Sequence, residues 1–329
     1  MKTGVKMIKA KVAVFTTGGT ISSVYSSDTG TIDPELSGED LISAIKPYIN
    51  GADIELRDLG TMPGPHITPE FVLKLSGMIK DVLKKDDICG AVISQGTDSV
   101  DEVSYLLSLL IGSEKPVVIT GAMKSGNELY VDAAGNLSGA IRIAQAPESK
   151  GKGVLVYFDE TIHSARDVEK YHANRIDAFV SPKGSLGGMY NGRIIYDRKP
   201  IREEVYSPKI LDQKVGLVKV CTGMEDLFIR TCMDRGYSGI VIEGFGAGNV
   251  PPVITDSIGE AIDRGIIVVI VSRCFDGEAV GVYNYKGGGA QLAEMGVLSG
   301  RDMSGQKARL RLMVLLGSGM DRGQIIKKY

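Results

Sequence analysis

The stretch AVISQGTDSVDEVSYLLSLLIGSEKPVVITGAM, residues 91–123, decides the fold. It opens with Ala91-Val92-Ile93 and closes on Pro116-Val117-Val118-Ile119, two short apolar runs that read as buried strands. Between them, Ser99-Val100-Asp101-Glu102 has the spacing of a capping box, and Tyr105, Leu106 and Leu109 continue an apolar helical face. Alternation of strand and helix predicts a parallel sheet covered on both faces. In such sheets sites form at the carboxyl ends of the strands. The loops after Phe15, Ser94 and Thr120 are therefore the ones to read for chemistry.

Working outward, Val12-Ala13-Val14-Phe15 is another buried strand, as is Gly153-Val154-Leu155-Val156-Tyr157-Phe158. Thr68-Pro69-Glu70 predicts an N-cap followed by proline at the first helical position, with a helix running through Leu73 and Ile79 to about Leu83. Residues 132–144 form a third helix candidate. From Tyr190 the pattern changes. Asn191-Gly192-Arg193 reads as a hairpin turn, and the polar residues after it place a linker over 196–213. A second alternating set follows over 215–220, 227–235, 239–243, 256–264 and 266–271, with the last helix expected over 306–316. The expected fold is α/β in two domains: a larger parallel-sheet N-terminal domain (1–195) and a smaller C-terminal α/β domain (214–329). A length of 329 residues agrees, at roughly 150 residues per domain.

Composition narrows the function classes. Charged residues make up 24% and the net charge is −2, so nothing points to nucleic acid. Lys2, Lys6, Lys9 and Lys11 precede no apolar core of a signal peptide, and no run is long enough to cross a bilayer, which predicts a cytoplasmic protein. The four cysteines, Cys89, Cys221, Cys232 and Cys274, form no C-x-x-C pair and have no histidine nearby, so a zinc site is not expected.

Thr16-Thr17-Gly18-Gly19-Thr20-Ile21 follows the first strand. Its glycines allow a sharp turn that keeps side chains away from a ligand, and Thr17 would point into the site. The alternatives are a plain surface turn and a phosphate-binding loop; the absence of G-x-G-x-x-G and of G-K-[ST] weighs against the second. Ser94-Gln95-Gly96-Thr97-Asp98-Ser99 lies between a strand and a helix N-terminus, where free N–H groups suit an anion or oxyanion. Lys170 is a candidate partner for Asp98, against the ordinary expectation of a solvated lysine. A Ser-His-Asp site has no G-x-S-x-G to rest on.

Thr17-Gly18-Gly19-Thr20-Ile21, Gln95-Gly96-Thr97-Asp98, Gly121-Ala122-Met123, Lys170 after Arg166-Asp167-Val168, Gly248-Asn249 and Gln306-Lys307-Ala308-Arg309 occur in this order along the whole chain. In this the sequence resembles the bacterial-type L-asparaginase and glutaminase-asparaginase family. The resemblance implies an amidohydrolase that releases ammonia from asparagine without metal or cofactor, acting as a homo-oligomer, tetramer or dimer. It implies Thr17 as nucleophile and Thr97, Asp98 and Lys170 as the second catalytic set. Tyr25, Gly64, Pro65, Gly96, Thr97, Asp98, Ala122 and Asn249 would contact substrate, with Asn249 reaching a neighbour's site. Residues 22–33 match a lid whose tyrosine hydrogen-bonds the nucleophile; Tyr25 fills that place, earlier in the segment than in many relatives. The sequence also departs at Pro63-Gly64-Pro65-His66, where relatives often carry a serine that binds the substrate α-carboxylate. Gly64 is expected to weaken selection for free asparagine or to shift it toward a substrate modified near that carboxylate. Residues 283–289 depart from the acidic pattern of periplasmic relatives. A glutaminase, a hydrolase of a modified amino-acid amide and a non-catalytic amino-acid sensor are the alternatives. The ammonia-supplying subunit of a tRNA amidotransferase is less expected, as that carries a further N-terminal domain.

Overall fold

The computed structural model describes residues 11–49 and 51–329, so Lys2, Lys6 and Lys9 lie outside the described residues. The chain divides into two compact units, the first ending at Val205 and the second running Tyr206–Tyr329.

The first unit contains strands β1 (Lys11–Thr16), β2 (Ser23–Ser26), β3 (Thr31–Pro34), β4 (Asp53–Asp58), β5 (Ile88–Ser94), β6 (Val117–Thr120), β7 (Val154–Phe158), β8 (Thr161–Ser164), β9 (Glu169–Lys170), β10 (Phe179–Val180), β11 (Gly187–Tyr190) and β12 (Arg193–Tyr196). Its helices are α1 (Gly38–Ile45), α2 (Pro69–Leu83), α3 (Val100–Leu110) and α4 (Ala133–Gln145). Eight strands form one sheet in the order β12-β11-β8-β7-β6-β5-β1-β4. It is parallel from β4 through β7 and antiparallel from β7 to β12.

The apolar runs owe their continuity to burial on both faces. Val12, Val14, Val92 and Val118 meet Leu41 and Ile45 of α1 and Leu137 and Ile141 of α4 in one core. Strand alternation sends Ala13, Phe15, Ile93 and Ile119 to the opposite face, where α2 and α3 pack on each other and on the sheet. All four of these side chains are fully buried. The helix from Pro69 forms as expected, with Thr68 Oγ1 accepting from the Phe71 N–H at 3.2 Å. The expected capping box at Ser99 does not form. A 3₁₀ turn, Thr97–Ser99, carries the chain into α3, and Ser99 Oγ donates instead to the Gly64 carbonyl at 3.1 Å. The hydroxyl thus ties two loops together rather than closing its own helix.

The second unit holds β13 (Val215–Lys219), β14 (Gly239–Gly244), β15 (Ile267–Ser272) and β16 (Leu298–Ser299), parallel in that order. Its helices are α5 (Leu227–Asp234), α6 (Thr255–Asp263), α7 (Gly289–Glu294), α8 (Gly305–Gly317) and α9 (Arg322–Ile326). Val220, Ile242 and Ile270 pack with Ile229 of α5, Ile258 of α6 and Leu292 of α7, and α8 packs on β13, β14 and β15. The helix expected to be last is followed by α9, a single turn held by a capping box of Asp321 and Gln324. Among the described residues no helix is long and apolar enough to cross a membrane.

Candidate active site

Loops leaving the carboxyl ends of neighbouring strands meet through glycines. After β1, Gly18 and Gly19 take φ +91° and +88°, which side chains rarely adopt. The turn they make is also crowded. A Cβ on Gly18 would lie 2.7 Å from the Met62 nitrogen, and one on Gly19 would lie 2.3 Å from Gly96 Cα. Gly96 leads out of β5 and abuts Gly64, whose nitrogen would be 2.8 Å from a Cβ on Gly96. After β6, a Cβ on Gly121 would lie 2.4 Å from the Gln95 carbonyl oxygen and 3.3 Å from Thr97 Cγ2. These close approaches draw the loops carrying Thr17, Gly64, Thr97 and Ala122 against one another.

Thr17 is buried, at 1% exposure. Its N–H donates to the Ser94 carbonyl at 3.0 Å and its carbonyl accepts from the Met62 N–H at 2.7 Å. Its hydroxyl donates to the same Ser94 carbonyl at 3.2 Å, beyond the usual range for an O–H···O bond and so readily exchanged for a better partner. The preceding Thr16 fixes the base of the turn. Its hydroxyl donates to Asp58 Oδ1 at 3.0 Å, and the same carboxylate accepts from the N–H groups of Gly60 and Gly38. The Gly60 N–H does most to hold the Asp58 carboxyl below its ordinary range, helped by Gly38 and Thr16 and opposed by partial burial. Beside Thr17, the buried atoms Ser94 Oγ and Gln95 Oε1 have no partner among the described residues, the kind of exception that calls for a working role or a bound water.

The structure brings Thr97, Asp98 and Lys170 together. Lys170 Nζ donates to Thr97 Oγ1 at 3.0 Å and to Asp98 Oδ1 at 2.7 Å. The lysine side chain is 15% exposed and that of Asp98 60%, so the ammonium is sheltered while the carboxylate faces outward. Lys170 sits in β9, paired with β10. Its main-chain N–H donates to Asp101 Oδ2 at 3.4 Å, and Asp101 Oδ1 accepts from the Glu102 N–H. Asp101 is 7% exposed. Its place within a capping-box spacing hides this role in the sequence; a carboxylate on the buried face of α3 is the signal that points to it.

The other expected site residues are less closely gathered. Ala122 is fully buried behind Gly121 and Pro65 is exposed. Tyr25 lies on the β2–β3 hairpin with its main chain bonded to the Asn127 side chain. Among the described residues no hydrogen bond joins the Tyr25 hydroxyl to Thr17, whose own hydroxyl is taken by Ser94. Asn249 belongs to the second unit, in the turn after β14, where its Oδ1 accepts from the Gly289 N–H at 3.1 Å. That contact gives residues 283–289 a local role, since the Val250 N–H also donates to the Gly287 carbonyl.

A hydroxyl at a strand end, a second hydroxyl bonded to an ammonium, and an outward carboxylate suit nucleophilic attack on a carbonyl carbon. Comparison with known proteins identifies the family. Residues 11–202 match the asparaginase N-terminal domain and residues 214–328 the glutaminase/asparaginase C-terminal domain. An L-asparaginase of Bacillus licheniformis is 35% identical over 94% of this chain and 96% of its own. A glutamyl-tRNA(Gln) amidotransferase subunit of Methanopyrus kandleri is 33% identical over 96% of this chain and 72% of its own. The crystal structure of a probable cytoplasmic L-asparaginase from Campylobacter jejuni superposes with a TM-score of 0.88 at 30% identity, covering 97% of this chain and 98% of that one. The chain belongs to the asparaginase family of amidohydrolases.

Proposed function

We propose that this chain hydrolyses the side-chain amide of L-asparagine to L-aspartate and ammonia, with Thr17 as nucleophile. The observation that carries the reading is the Lys170 ammonium bonded at once to Thr97 Oγ1 and Asp98 Oδ1, at the rim where the Gly18-Gly19 turn meets Gly96. In the first step Thr17 Oγ leaves the Ser94 carbonyl and bonds to the amide carbon, giving up its proton. Main-chain N–H groups of the glycine turns hold the oxyanion, at about 3 kcal/mol per donor. The C–N bond then breaks and the nitrogen departs as ammonia, having taken up a proton. In the second step water attacks the ester on Thr17, aspartate leaves, and the Thr17 hydroxyl regains its proton. Negative charge on Thr97 Oγ1 is stabilised by the Lys170 ammonium, so Thr97 serves to move these protons. Asp98, open to solvent, binds the substrate α-amino group. Tyr25, Gly64, Pro65, Gly96 and Ala122 line the remainder, and Asn249 serves a neighbouring copy in a homo-oligomer. The cytoplasm is the compartment that fits an L-asparaginase like that of C. jejuni.

A substrate enlarged near its carboxylate is the weaker reading at Gly64. A Cβ there would lie 3.3 Å from Asp98 Cβ and 3.4 Å from the Asp98 nitrogen, so the missing side chain leaves closed packing rather than a hollow. Ammonia release from asparagine, glutamine and N-substituted analogues, run beside Thr17→Ala, tests the proposal. Turnover of asparagine abolished by Thr17→Ala supports it. Tight binding without turnover supports a sensor instead, and preference for glutamine or an analogue replaces the substrate.

A further inference from the structure

We propose that Asn127 is a positioning residue that holds the β2–β3 hairpin, and with it Tyr25, in place for substrate. The inference deepens the proposed amidase reading, because it treats this hairpin as the cover of the Thr17 site. Pairing between the two strands uses one edge of β2 and leaves the main-chain groups of Ser23 and Tyr25 facing the other way. An edge of this kind needs a partner, and residues 126 and 127 supply it. The Gly126 N–H donates to the Ser23 carbonyl at 3.0 Å. One peptide unit further out, Asn127 replaces main chain with side chain: its Oδ1 accepts from the Tyr25 N–H at 2.8 Å and its Nδ2 donates to the Tyr25 carbonyl at 2.6 Å. A carboxamide presents an N–H and a C=O side by side, matching the N–H and C=O that the extended residue Tyr25 directs to one edge, and so completes the ladder.

The segment that presents Asn127 is itself fixed. Ser125 is fully buried, and both its N–H and its hydroxyl donate to Glu128 Oε2, at 2.7 and 2.6 Å. The same segment follows Gly121-Ala122 at the end of β6 and is pinned where Asp132 accepts from the N–H groups of Met123 and Lys124. At its root the hairpin is tied to the nucleophile turn, since Ser23 Oγ donates to the Gly19 carbonyl at 2.9 Å. Beyond Tyr25 the hairpin tip is exposed, as is Asn127. Bonds in contact with water break and reform readily, which fits a clasp that must open at each turnover.

The test compares wild type, Asn127→Ala and Asn127→Asp by amide hydrogen exchange and by steady-state kinetics. Aspartate keeps the acceptor for the Tyr25 N–H but sets a second lone-pair oxygen against the Tyr25 carbonyl. Exchange in the peptide spanning residues 23–33 is expected to rise about tenfold in both variants, while the β5 peptide is unchanged. KM for asparagine is expected to rise about tenfold with kcat within about twofold, because bound substrate pulls the clasp shut. Unaltered exchange at 23–33, or raised exchange with unaltered KM, overturns the proposal. Exchange is read without substrate, so a wild-type chain that releases no ammonia refutes the amidase reading, and the exchange result still decides whether Asn127 holds the hairpin.

Discussion

Gly19→Ala tests how the two catalytic loops are held together. Gly19 has φ 88° and ψ −172°, a region that glycine alone occupies at low cost, and forcing another residue into it costs about 1–3 kcal/mol. The added methyl would also lie 2.3 Å from both Cα and N of Gly96. Main chain cannot swing aside as a flexible side chain can, so ordinary contact requires the turns to part by about 1 Å, at an overpacking cost of about 1–3 kcal/mol. The total of about 2–6 kcal/mol lowers the melting temperature by several degrees or more. The displacement falls on the residue preceding Thr97 and Asp98, and a shift of about 1 Å in a reacting group costs roughly 100-fold. The assay is kcat/KM for asparagine beside a thermal melt, with Gly77→Ala as control. Gly77 lies within α2, and a Cβ there meets nothing within 4 Å, so that change stabilises by about 0.5–1 kcal/mol and leaves activity alone. A Gly19→Ala enzyme with wild-type melting and turnover would refute the close approach and the reasoning built on it.

Lys170→Met keeps the stem and removes the ammonium; kcat for asparagine is expected to fall about 100- to 10,000-fold, the span of lost proton-transfer catalysis, with far-UV circular dichroism unchanged. Gly64→Ser restores a hydroxyl that can meet the α-carboxylate. A hydrogen bond to a charged group contributes about 1.5–3 kcal/mol, so kcat/KM for asparagine is expected to rise about 10-fold or more if Asp98 yields a few tenths of an ångström, and a fall would mean that Asp98 does not yield. The Asp58 carboxyl is held below its ordinary value of 3.8, so its stabilising effect is full above that value and is lost as pH falls through the lower folded-state value. Denaturant titrations at pH 7 and below pH 4 should show Asp58→Asn less stable than wild type at neutrality, with the gap closing in acid; a gap independent of pH would count against the carboxylate's role under Thr16.

How much is legible in the sequence follows from burial. β1, β5, β6 and β7 lie inside the sheet with both faces covered, and their unbroken apolar runs announce it. β4, Asp-Ile-Glu-Leu-Arg-Asp, is an edge strand with only one face packed, and its alternation does not stand out over six residues. β8, β11 and β12 are four residues each, too short to read as strands, and the antiparallel end of the sheet shows in the sequence only through the Asn191-Gly192 turn that joins β11 to β12. Thr17, Thr97 and Asp98 are legible because each follows a buried strand in a glycine turn. The pairing of Lys170 with Thr97, 73 positions earlier, rests on resemblance, since only the fold brings β9 to the end of β5. Ser99 misleads because spacing cannot tell a hydroxyl that caps its own helix from one that bonds across to Gly64. Asn127 acts through main-chain groups of a distant residue, which leaves no mark in spacing or composition, whereas Asp101 shows only as a carboxylate on the buried face of α3.

The identity of the nucleophile is tested most directly by acid-quenching the enzyme during asparagine turnover and mapping the trapped ester by peptide mass spectrometry. An aspartyl group on the peptide that contains Thr17, absent from Thr17→Ala, is the predicted result. An ester on Thr97, or continued ammonia release by Thr17→Ala, would contradict it.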